Sequence, residues 1–419
     1  MYHFIVLVLL ASGLVIAESE RFNCPNSSGS TTIARLRSAL LCDYDTSVRS
    51  VKDHRNATTV SFRLLLKYFT YDHFTHTLSI DAWFPTYWTD QHLTWKPDEY
   101  EGIKSIHMSS SYDLWVPDIS IYNKKDQSSD PKTLADTSCA VNFKGSVLCV
   151  PPIHIDALCV PDLTKYPYDV QKCTVRFGSW VHKGEDLKLK MLTPTVDLED
   201  MEPNGEWELL SFNTVYHRGN YSCCPNSTYP SIDIIFEIER RSAPHAVNVV
   251  LPLLVCILIT LTTMAMSPLN KDRLILSCVN LIAHIYHLQN VSYVVPLSGE
   301  NIPSLLAISR DSTLLAGFSI VATIFLKSLI TTQSFTPSWV SGTVSVLVSS
   351  RPGQIIFLAD NSLKGSASAE NKEDGVTIIS NSESPPPSSN SDWAVFGKFI
   401  DVLLFIVYII IYFILIIIF

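Results

Sequence analysis

Two cysteines enclose thirteen residues in the stretch Cys159-Val-Pro-Asp-Leu-Thr-Lys-Tyr-Pro-Tyr-Asp-Val-Gln-Lys-Cys173. At its centre Pro167 stands between Tyr166 and Tyr168, and Asp169 follows. Because proline fixes its own backbone torsion φ, this centre is predicted to be a rigid turn with an apolar tip. A disulfide between the two cysteines would hold the tip out as a contact surface, which requires an oxidising compartment.

The distribution of the cysteines also indicates an extracellular region. Two of the ten, Cys256 and Cys278, lie in apolar stretches, and the other eight precede residue 240. These eight are Cys24, Cys42, Cys139, Cys149, Cys159, Cys173, Cys223 and Cys224. An even set in a secreted region predicts disulfides. Glycosylation sequons occur in the same region, at Asn26, Asn56, Asn220 and Asn226.

Position suggests which cysteines pair. Cys139 and Cys149 face each other across a predicted hairpin that turns near Lys144-Gly145. If Cys159 bonds to Cys173 and Cys223 bonds to Cys224, elimination leaves Cys24 for Cys42. The adjacent Cys223 and Cys224 either bond to each other or to separate distant partners.

Composition indicates a membrane protein that is not a nucleic-acid binder. Of 419 residues, 47% are hydrophobic and 17% are charged, which is too apolar for a purely soluble protein. The net charge of -9 argues against a nucleic-acid partner. The apolar run from Met1 to Ala17 ends before Glu18 and predicts a secretory signal peptide over 1–17.

Periodicity predicts a sandwich followed by four spans. Residues from about Thr31 to Leu41 repeat apolar side chains at helical spacing, and alternating strand patterns then continue to about Ile238. This pattern is typical of a β-sandwich. Four later segments are predicted to cross the membrane and return the C-terminus to the extracellular side: Val247 to Met266, Leu274 to Pro296, Ser312 to Thr332 and Val402 to Phe419.

The chain therefore divides into five predicted parts. They are a signal peptide (1–17), an all-β extracellular sandwich with a short N-terminal helix (18–243), three transmembrane helices (244–332), a largely disordered cytoplasmic loop rich in Ser, Pro and Asn (333–392), and a fourth transmembrane helix (393–419). The sequence contains no Gly-x-Ser-x-Gly, His-Glu-x-x-His or Walker-type phosphate loop, so no enzymatic motif competes with this interpretation. No cofactor is predicted.

Four aromatic residues could form a cage for an organic cation. A quaternary ammonium ion is held by the faces of electron-rich rings, and the chain offers Tyr122, Trp180, Tyr221 and Tyr229 at spaced positions. Each ring taken singly is more often a core or turn aromatic. Their order, together with Cys-x13-Cys and Trp88-Thr-Asp-Gln-His-Leu-Thr-Trp95-Lys-Pro97, resembles the Cys-loop ligand-gated ion channels.

Within that family the chain resembles α-type nicotinic acetylcholine receptor subunits, in particular atypical short subunits of invertebrates such as insects. The resemblance implies a pentamer with other subunits in the plasma membrane, by analogy the postsynaptic one, and acetylcholine or a similar quaternary ammonium ion as ligand. It also implies a Cys223–Cys224 disulfide on a closing hairpin, with Trp83 facing a neighbour's site. The inward movement of this hairpin on ligand binding would pass through the gating loop Tyr166-Pro167-Tyr168-Asp169 to the linker after Pro296.

The resemblance implies that the second span lines a pore. The lumen face would carry Asp272, Ile275, Val279, Ile282, Tyr286, Gln289 and Tyr293. Asp272 keeps the acidic charge that selects cations. Five copies of Ile275, Val279 and Ile282 would build three successive apolar rings that stay dry. A homopentamer is therefore predicted to be silent, whereas one copy among ordinary subunits would conduct.

Other positions remain open or depart from the family. His284 and His287 could bind metal, sense protons or, as the simplest alternative, hydrogen-bond to neighbouring helices. Ser231 stands where the family has an aspartate that helps link the closing hairpin to the loop, and Ser242 and Cys149 replace a proline and a tryptophan. Two rival functions therefore stay open: a non-conducting ligand-binding or assembly subunit, and a receptor for a different ligand, even an anion channel.

Overall fold

The computed structural model describes residues 31–126, 135–296, 302–332, 334–350 and 390–418. The predictions made for the signal peptide, Cys24, Asn26, the linker after Pro296 and most of the cytoplasmic loop lie outside these residues. The chain forms two compact units. The first comprises the chain up to Pro161 together with Val170–Arg240, and the second comprises Asp162–Asp169 together with the chain from Arg241 onward.

The first unit begins with helix α1, Thr32–Leu41. Its start is fixed by Thr31, whose side-chain oxygen accepts a hydrogen bond from the Ala34 amide at 3.3 Å. Leu36 on the inner face of the helix is completely buried. The predicted N-terminal helix is confirmed within one residue.

Twelve strands follow, in two sheets. They are β1 (Thr58–Asp72), β2 (Thr77–Trp83), β3 (Thr86–Thr89), β4 (Ser105–Ser109), β5 (Ile119–Ile121), β6 (Ser138–Asn142), β7 (Ser146–Cys149), β8 (Pro152–Leu158), β9 (Val170–Ser179), β10 (Leu187–Asp197), β11 (Trp207–His217) and β12 (Ser231–Arg240). The larger sheet has the order β4-β6-β7-β3-β1-β2-β8, with β10 parallel to β1. The smaller sheet has the order β11-β12-β9-β5.

The two sheets enclose one apolar core. Phe62 and Phe84 lie on the side of the larger sheet, and Phe177 lies in the smaller sheet. Their ring centroids are 5.1 to 5.6 Å apart. Aromatic rings at this separation attract each other beyond the area that they bury. The predicted β-sandwich is confirmed.

Two disulfides close short segments of this unit. Cys139 bonds to Cys149 across the β6–β7 hairpin, in which Gly145 takes the left-handed φ of 81° that the turn requires. Cys159 bonds to Cys173. Cys42 is also disulfide-bonded.

Among its described residues, the second unit contains four helices that are long and apolar enough to cross a membrane. They are α2 (Ala243–Ala265), α3 (Lys271–Val294), α4 (Ser304–Thr331) and α6 (Asn390–Ile418), with the shorter α5 (Ser338–Ser349) between the last two. Helix α4 begins eight residues before the predicted start at Ser312. Arg310 and Asp311, the charged residues that interrupt the apolar run in the sequence, lie inside the helix and are 2.8 Å apart.

The helical bundle buries polar side chains. Arg273 on α3 is completely buried, and its guanidinium donates to Asp401 of α6 at 2.8 Å and to Thr323 of α4 at 3.1 Å. Further along α3, His284 Nε2 lies 2.8 Å from Ser312 Oγ, which in turn lies 3.2 Å from the Tyr412 hydroxyl. Hydrogen bonds of this kind hold helices together where lipid surrounds them.

Helix α5 was not predicted. It lies at the start of the segment expected to be largely disordered, and it packs on α6 through the Trp339 and Phe396 rings, whose centroids are 5.7 Å apart. Ser341 also donates to Asp392 at 2.9 Å. An uncharged helix of twelve residues is too short to span a membrane, which is why hydropathy overlooked it.

Candidate functional site

Trp180 and Tyr122 meet at the edge of the smaller sheet. Trp180 directly follows β9, Tyr122 directly follows β5, and their ring centroids lie 6.2 Å apart at 80°. A Cβ atom at Gly178 would collide with the Tyr122 ring, so glycine is required there for the ring to cross the strand. Trp180 is 72% exposed, which leaves its face open to a ligand.

The carboxylate of Asp118 fixes the backbone around Trp180. Asp118 accepts hydrogen bonds from the Ser179 hydroxyl and the Val181 amide, both at 2.7 Å, and its Oδ1 lies 2.7 Å from His182 Nδ1. Burial would raise the pKa of Asp118, but these hydrogen bonds outweigh burial and hold the pKa below its usual range. Sequence reasoning missed this role, since an aspartate three residues after a tryptophan carries no distinctive signal.

The Tyr122 hydroxyl completes this side of the site. It donates to the Ser179 carbonyl oxygen at 2.6 Å. Burial, followed by the electrostatic influence of Tyr221, Asp118 and Tyr229, raises the pKa of Tyr122 to about 12. The phenol is therefore neutral at physiological pH, and the two hairpin tyrosines lie close enough to act on it.

Tyr221 and Tyr229 lie on the hairpin that connects β11 to β12. Their ring centroids are 6.2 Å apart. Gly219 has a φ of 62°, and its carbonyl oxygen accepts a hydrogen bond from the Tyr229 amide at 2.9 Å. A Cβ atom at residue 219 would collide with the Tyr229 carbonyl. Glycine therefore allows the two arms of the hairpin to approach and the two rings to meet.

The hairpin is bonded to the segment after Trp180. The Gly184 amide donates to the Thr228 carbonyl at 2.8 Å, and the Thr228 hydroxyl donates to Glu185 at 3.0 Å. The structure thus brings Tyr122, Trp180, Tyr221 and Tyr229 together from three separate segments. A group of aromatic faces of this kind suits an organic cation.

Cys223 and Cys224 occupy the hairpin tip. Their sulfur atoms lie 2.8 Å apart and are not bonded in the structure. The disulfide between them stays a prediction. Asn220 and Asn226 flank the pair, and both are exposed, as is Asn56 elsewhere in the unit. Glycosylation at these sequons also stays a prediction.

Trp83 lies apart from the four rings. It ends β2 in the larger sheet and is 40% exposed. The other four aromatics are carried by segments of the smaller sheet. Its predicted role toward a neighbouring subunit remains untested.

The centre of the Cys159–Cys173 loop belongs to the second unit. Tyr166 is buried there, with its hydroxyl 2.9 Å from His245 Nδ1, and the Thr164 carbonyl accepts from the Ser304 amide at 3.0 Å. Tyr168 remains half-exposed. The loop therefore contacts the first turns of both α2 and α4, rather than presenting both aromatics outward.

The predicted pore face of α3 is uncovered within the chain. Asp272, Ile275, Val279, Ile282, Tyr286 and Tyr293 are all exposed. His284 and His287 lie on the opposite, buried face and reach Ser312 and Ser309, so they make hydrogen bonds between helices. Throughout the described ranges, no three His, Cys, Asp or Glu side chains are grouped so that they could hold a metal ion.

Comparison with known proteins matches this architecture. Residues 33–242 match the model of the neurotransmitter-gated ion-channel ligand binding domain. The chain is 28% identical over 317 residues to the acetylcholine receptor subunit alpha-type acr-7 of Caenorhabditis elegans, covering 74% of this chain and 59% of that protein. It is 28% identical over 302 residues to acetylcholine receptor subunit alpha-type acr-16 of Caenorhabditis briggsae, covering 72% of this chain and 60% of that protein. The chain thus spans less than two thirds of the length of these relatives.

Proposed function

Because the chain belongs to the neurotransmitter-gated ion channel family, a class of membrane receptors and not of enzymes, we propose that it is an α-like subunit of an acetylcholine-gated, cation-selective pentameric channel. The observation that carries the proposal is the convergence of Trp180, Tyr122, Tyr221 and Tyr229 on one exposed site. The relatives named as acetylcholine receptor subunits support the same ligand.

The ligand would bind by its charge to the faces of the aromatic rings. Trp180 supplies the most exposed face, and Tyr122 supports it from the edge. The hairpin with Tyr221 and Tyr229 closes from the other side and excludes water, which strengthens the attraction between cation and ring. A neighbouring subunit would complete the site with a residue equivalent to Trp83.

The pore would be formed by α3 from five subunits in a plasma membrane, at a synapse by analogy. Ile275, Val279 and Ile282 are exposed on one face of α3, and Asp272 lies in its first turn. A ring of acidic side chains favours cations, while three apolar rings in succession would block a homopentamer. We therefore propose that the subunit works in heteromers.

The ligand site is tested by binding of tritium-labelled acetylcholine to membranes that contain the full chain, alone or with nicotinic partner subunits. Trp180→Ala should weaken binding about thirtyfold, the equivalent of about 2 kcal/mol for a desolvated cation on a tryptophan face. Trp180→Phe should retain part of the affinity. Tyr112→Ala, at an exposed tyrosine elsewhere in the same unit, is the matched control. Equal binding by Trp180→Ala and the unmodified chain would contradict the proposal.

A second candidate function is a ligand-binding subunit that does not conduct. The exposed apolar face of α3 favours it, since a pore lined by this face alone would stay dry and would not pass ions. Agonist-evoked current decides between the two. Intact acetylcholine binding with no effect on the current of any co-expressed channel subunit would favour the non-conducting role.

A further inference from the structure

A buried carboxylate lies at the base of the hairpin that carries Tyr221 and Tyr229. The side chain of Asp233 on β12 is only 6% exposed. Its Oδ1 accepts from Arg176 Nε and its Oδ2 from Arg176 Nη2, each at 2.7 Å. The His217 Nε2 atom lies 3.1 Å from the same Oδ2. A bidentate pair between guanidinium and carboxylate is among the strongest polar contacts in proteins and fixes the direction of both groups.

This cluster joins the three strands that lead to Trp180, Tyr221 and Tyr229. His217 ends β11, which enters the hairpin, and Asp233 lies near the start of β12, which leaves it. Arg176 lies on β9, three residues before the end of the strand that presents Trp180. Asp233 therefore ties both arms of the hairpin to the strand that carries the opposite side of the site.

A further bond extends the cluster to the last aromatic residue. The backbone amide of Arg176 donates to Asn123 Oδ1 at 3.0 Å, and Asn123 follows Tyr122 directly. Each of the four rings thus lies within four residues, along the chain, of a side chain in this cluster. A shift of Asp233 would therefore change the positions of the rings on every side of the site.

Ser231 and Asp233 lie on the same face of β12. Ser231 lies opposite His217 in the β11–β12 register, and Asp233 lies two residues further along the same strand. Because side chains alternate in a strand, residues 231 and 233 project from the same face. A carboxylate placed at residue 231 would therefore lie on the face that carries Asp233 and opposite His217.

We propose that Asp233 is a positioning residue which, through Arg176 and His217, holds the hairpin closed over a bound quaternary ammonium ion and so sets how long the ligand stays. This inference rests on the proposed function. Without the carboxylate, Arg176 on β9 and His217 on β11, which lie on either side of β12, have no negative charge between them. The hairpin then opens more readily, and the effect falls on the dissociation rate, where most affinity differences between related complexes arise.

The test uses the full chain in membranes with tritium-labelled acetylcholine as probe. Asp233→Asn should speed dissociation about tenfold, the equivalent of one charge-assisted hydrogen bond, and leave the association rate within about twofold. The matched control is Glu237→Gln. Glu237 pairs with Lys172 at 3.2 Å across the same two strands, but four residues further from the hairpin, so its loss should leave both rates unchanged.

A rescue separates positioning from a general contribution to folding. Ser231→Asp placed in the Asp233→Asn variant restores a carboxylate on the same face, directly opposite His217, and should recover most of the slow dissociation. If Asp233→Asn does not reach the membrane, Arg176→Gln breaks the same link at a half-exposed side chain. Wild-type dissociation rates in both Asp233→Asn and Arg176→Gln would overturn the inference.

Hydrogen exchange of the unliganded chain distinguishes this inference from the proposed function. Asp233→Asn should speed exchange of the Tyr229 and Gly184 amides, which bond across the closed hairpin, and Glu237→Gln should not. If the unmodified chain binds no acetylcholine, the proposed function fails, while faster exchange in Asp233→Asn still upholds the positioning role. Unchanged exchange in that variant overturns the positioning role, whatever the ligand.

Discussion

The two units of this molecule sort polar and apolar side chains in opposite ways. The sandwich buries Phe62, Phe84 and Phe177 and leaves most of its charges exposed. Helix α3 of the second unit buries Arg273 and His284 and exposes a row of aliphatic side chains. Apolar burial drives folding only where the alternative is water. Where lipid surrounds a helix, packing and hydrogen bonds between helices take over.

The same exposure therefore has different meanings in the two units. Trp180 and Ile282 are exposed to a similar extent, at 72% and 68%. In the water-facing unit a tryptophan that stays open while Asp118 fixes its backbone indicates a binding surface. In the unit with the membrane-spanning helices an exposed isoleucine can face lipid or the proposed pore, so exposure alone does not indicate a binding surface, and the buried polar residues are the ones that need an explanation.

The largest effect is expected from the buried ion pair of the second unit. Arg273→Gln leaves the Asp401 carboxylate buried without its cation, which costs about 3 to 5 kcal/mol and should abolish surface delivery. Surface biotinylation and the melting temperature in detergent measure this. Arg310→Gln, at an exposed pair, should have no comparable effect.

A double variant tests whether the charge or only its pairing matters. Arg273→Met with Asp401→Leu removes both members, and replacing a buried pair by apolar residues is often neutral or stabilising. Recovery of folded protein in this double variant would show that unpaired charge caused the defect. A double variant as unstable as Arg273→Gln would mean that the hydrogen bonds of Arg273 to Thr323 and Met266 are essential.

The next largest effect is expected on ion conduction, from substitutions on the exposed face of α3. Ile275→Ser with Val279→Thr places hydroxyl groups on two of the three apolar rings, and wetting should convert a silent homopentamer into one that passes acetylcholine-evoked current. Whole-cell recording with matched surface expression is the measurement. Leu258→Thr, on an exposed position of α2, is the control. Robust current from the unmodified chain alone would refute the idea of a dry constriction.

A smaller effect, on thermal stability, is expected when a hydrogen bond between helices of the bundle is removed. His284→Ala removes the contact with Ser312, and such bonds between membrane helices contribute about 0.6 to 1.7 kcal/mol. The melting temperature of the full chain in detergent should fall by a few degrees. Tyr286→Ala, on the exposed side of the same helix, should leave it unchanged. Equal shifts for both variants would remove the distinction between the two faces.

The smallest effect lies on the surface of the sandwich. Hydrogen bonding to Asp81 raises the pKa of His154, since the imidazole Nδ1 lies 2.7 Å from that carboxylate. A histidine whose pKa is higher in the folded state stabilises the fold below its unfolded pKa of about 6.5, and this contribution is lost as pH rises through the folded pKa. The melting temperature should therefore decline slightly with rising pH.

The matched variant is His154→Gln, which cannot take up a proton. Its melting temperature should lack the part of the decline that the unmodified chain shows between about pH 6 and pH 8. Because His154 and Asp81 are both largely exposed, solvent screens the pair and the difference should be small. Parallel curves for the two proteins would assign the pH dependence to other groups.

The sequence predicted the architecture because each element carries a local signal. The Thr31 cap, the alternation in β1 and the long uncharged runs all specify their own structure. The site was only partly predictable. Aromatic residues could be selected by type, whereas the supporting roles of Asp118 and Asp233 depend on which strands become neighbours, and no spacing in the chain encodes that. Helix α5 was missed because disorder was inferred from the composition of a longer segment.

Because of the hydrogen bonds to Asp118, the Trp180 side of the site and the hairpin should contribute unequally to ligand discrimination. Val181, Ser179 and His182 all bond to this carboxylate, so the backbone that presents Trp180 loses little conformational freedom when a ligand arrives. That side of the site acts as a template that cannot adapt to ligands of different size. Differences in ligand preference among related chains should therefore accumulate in the length and sequence of the hairpin between His217 and Ser231, and engineering of selectivity should begin there.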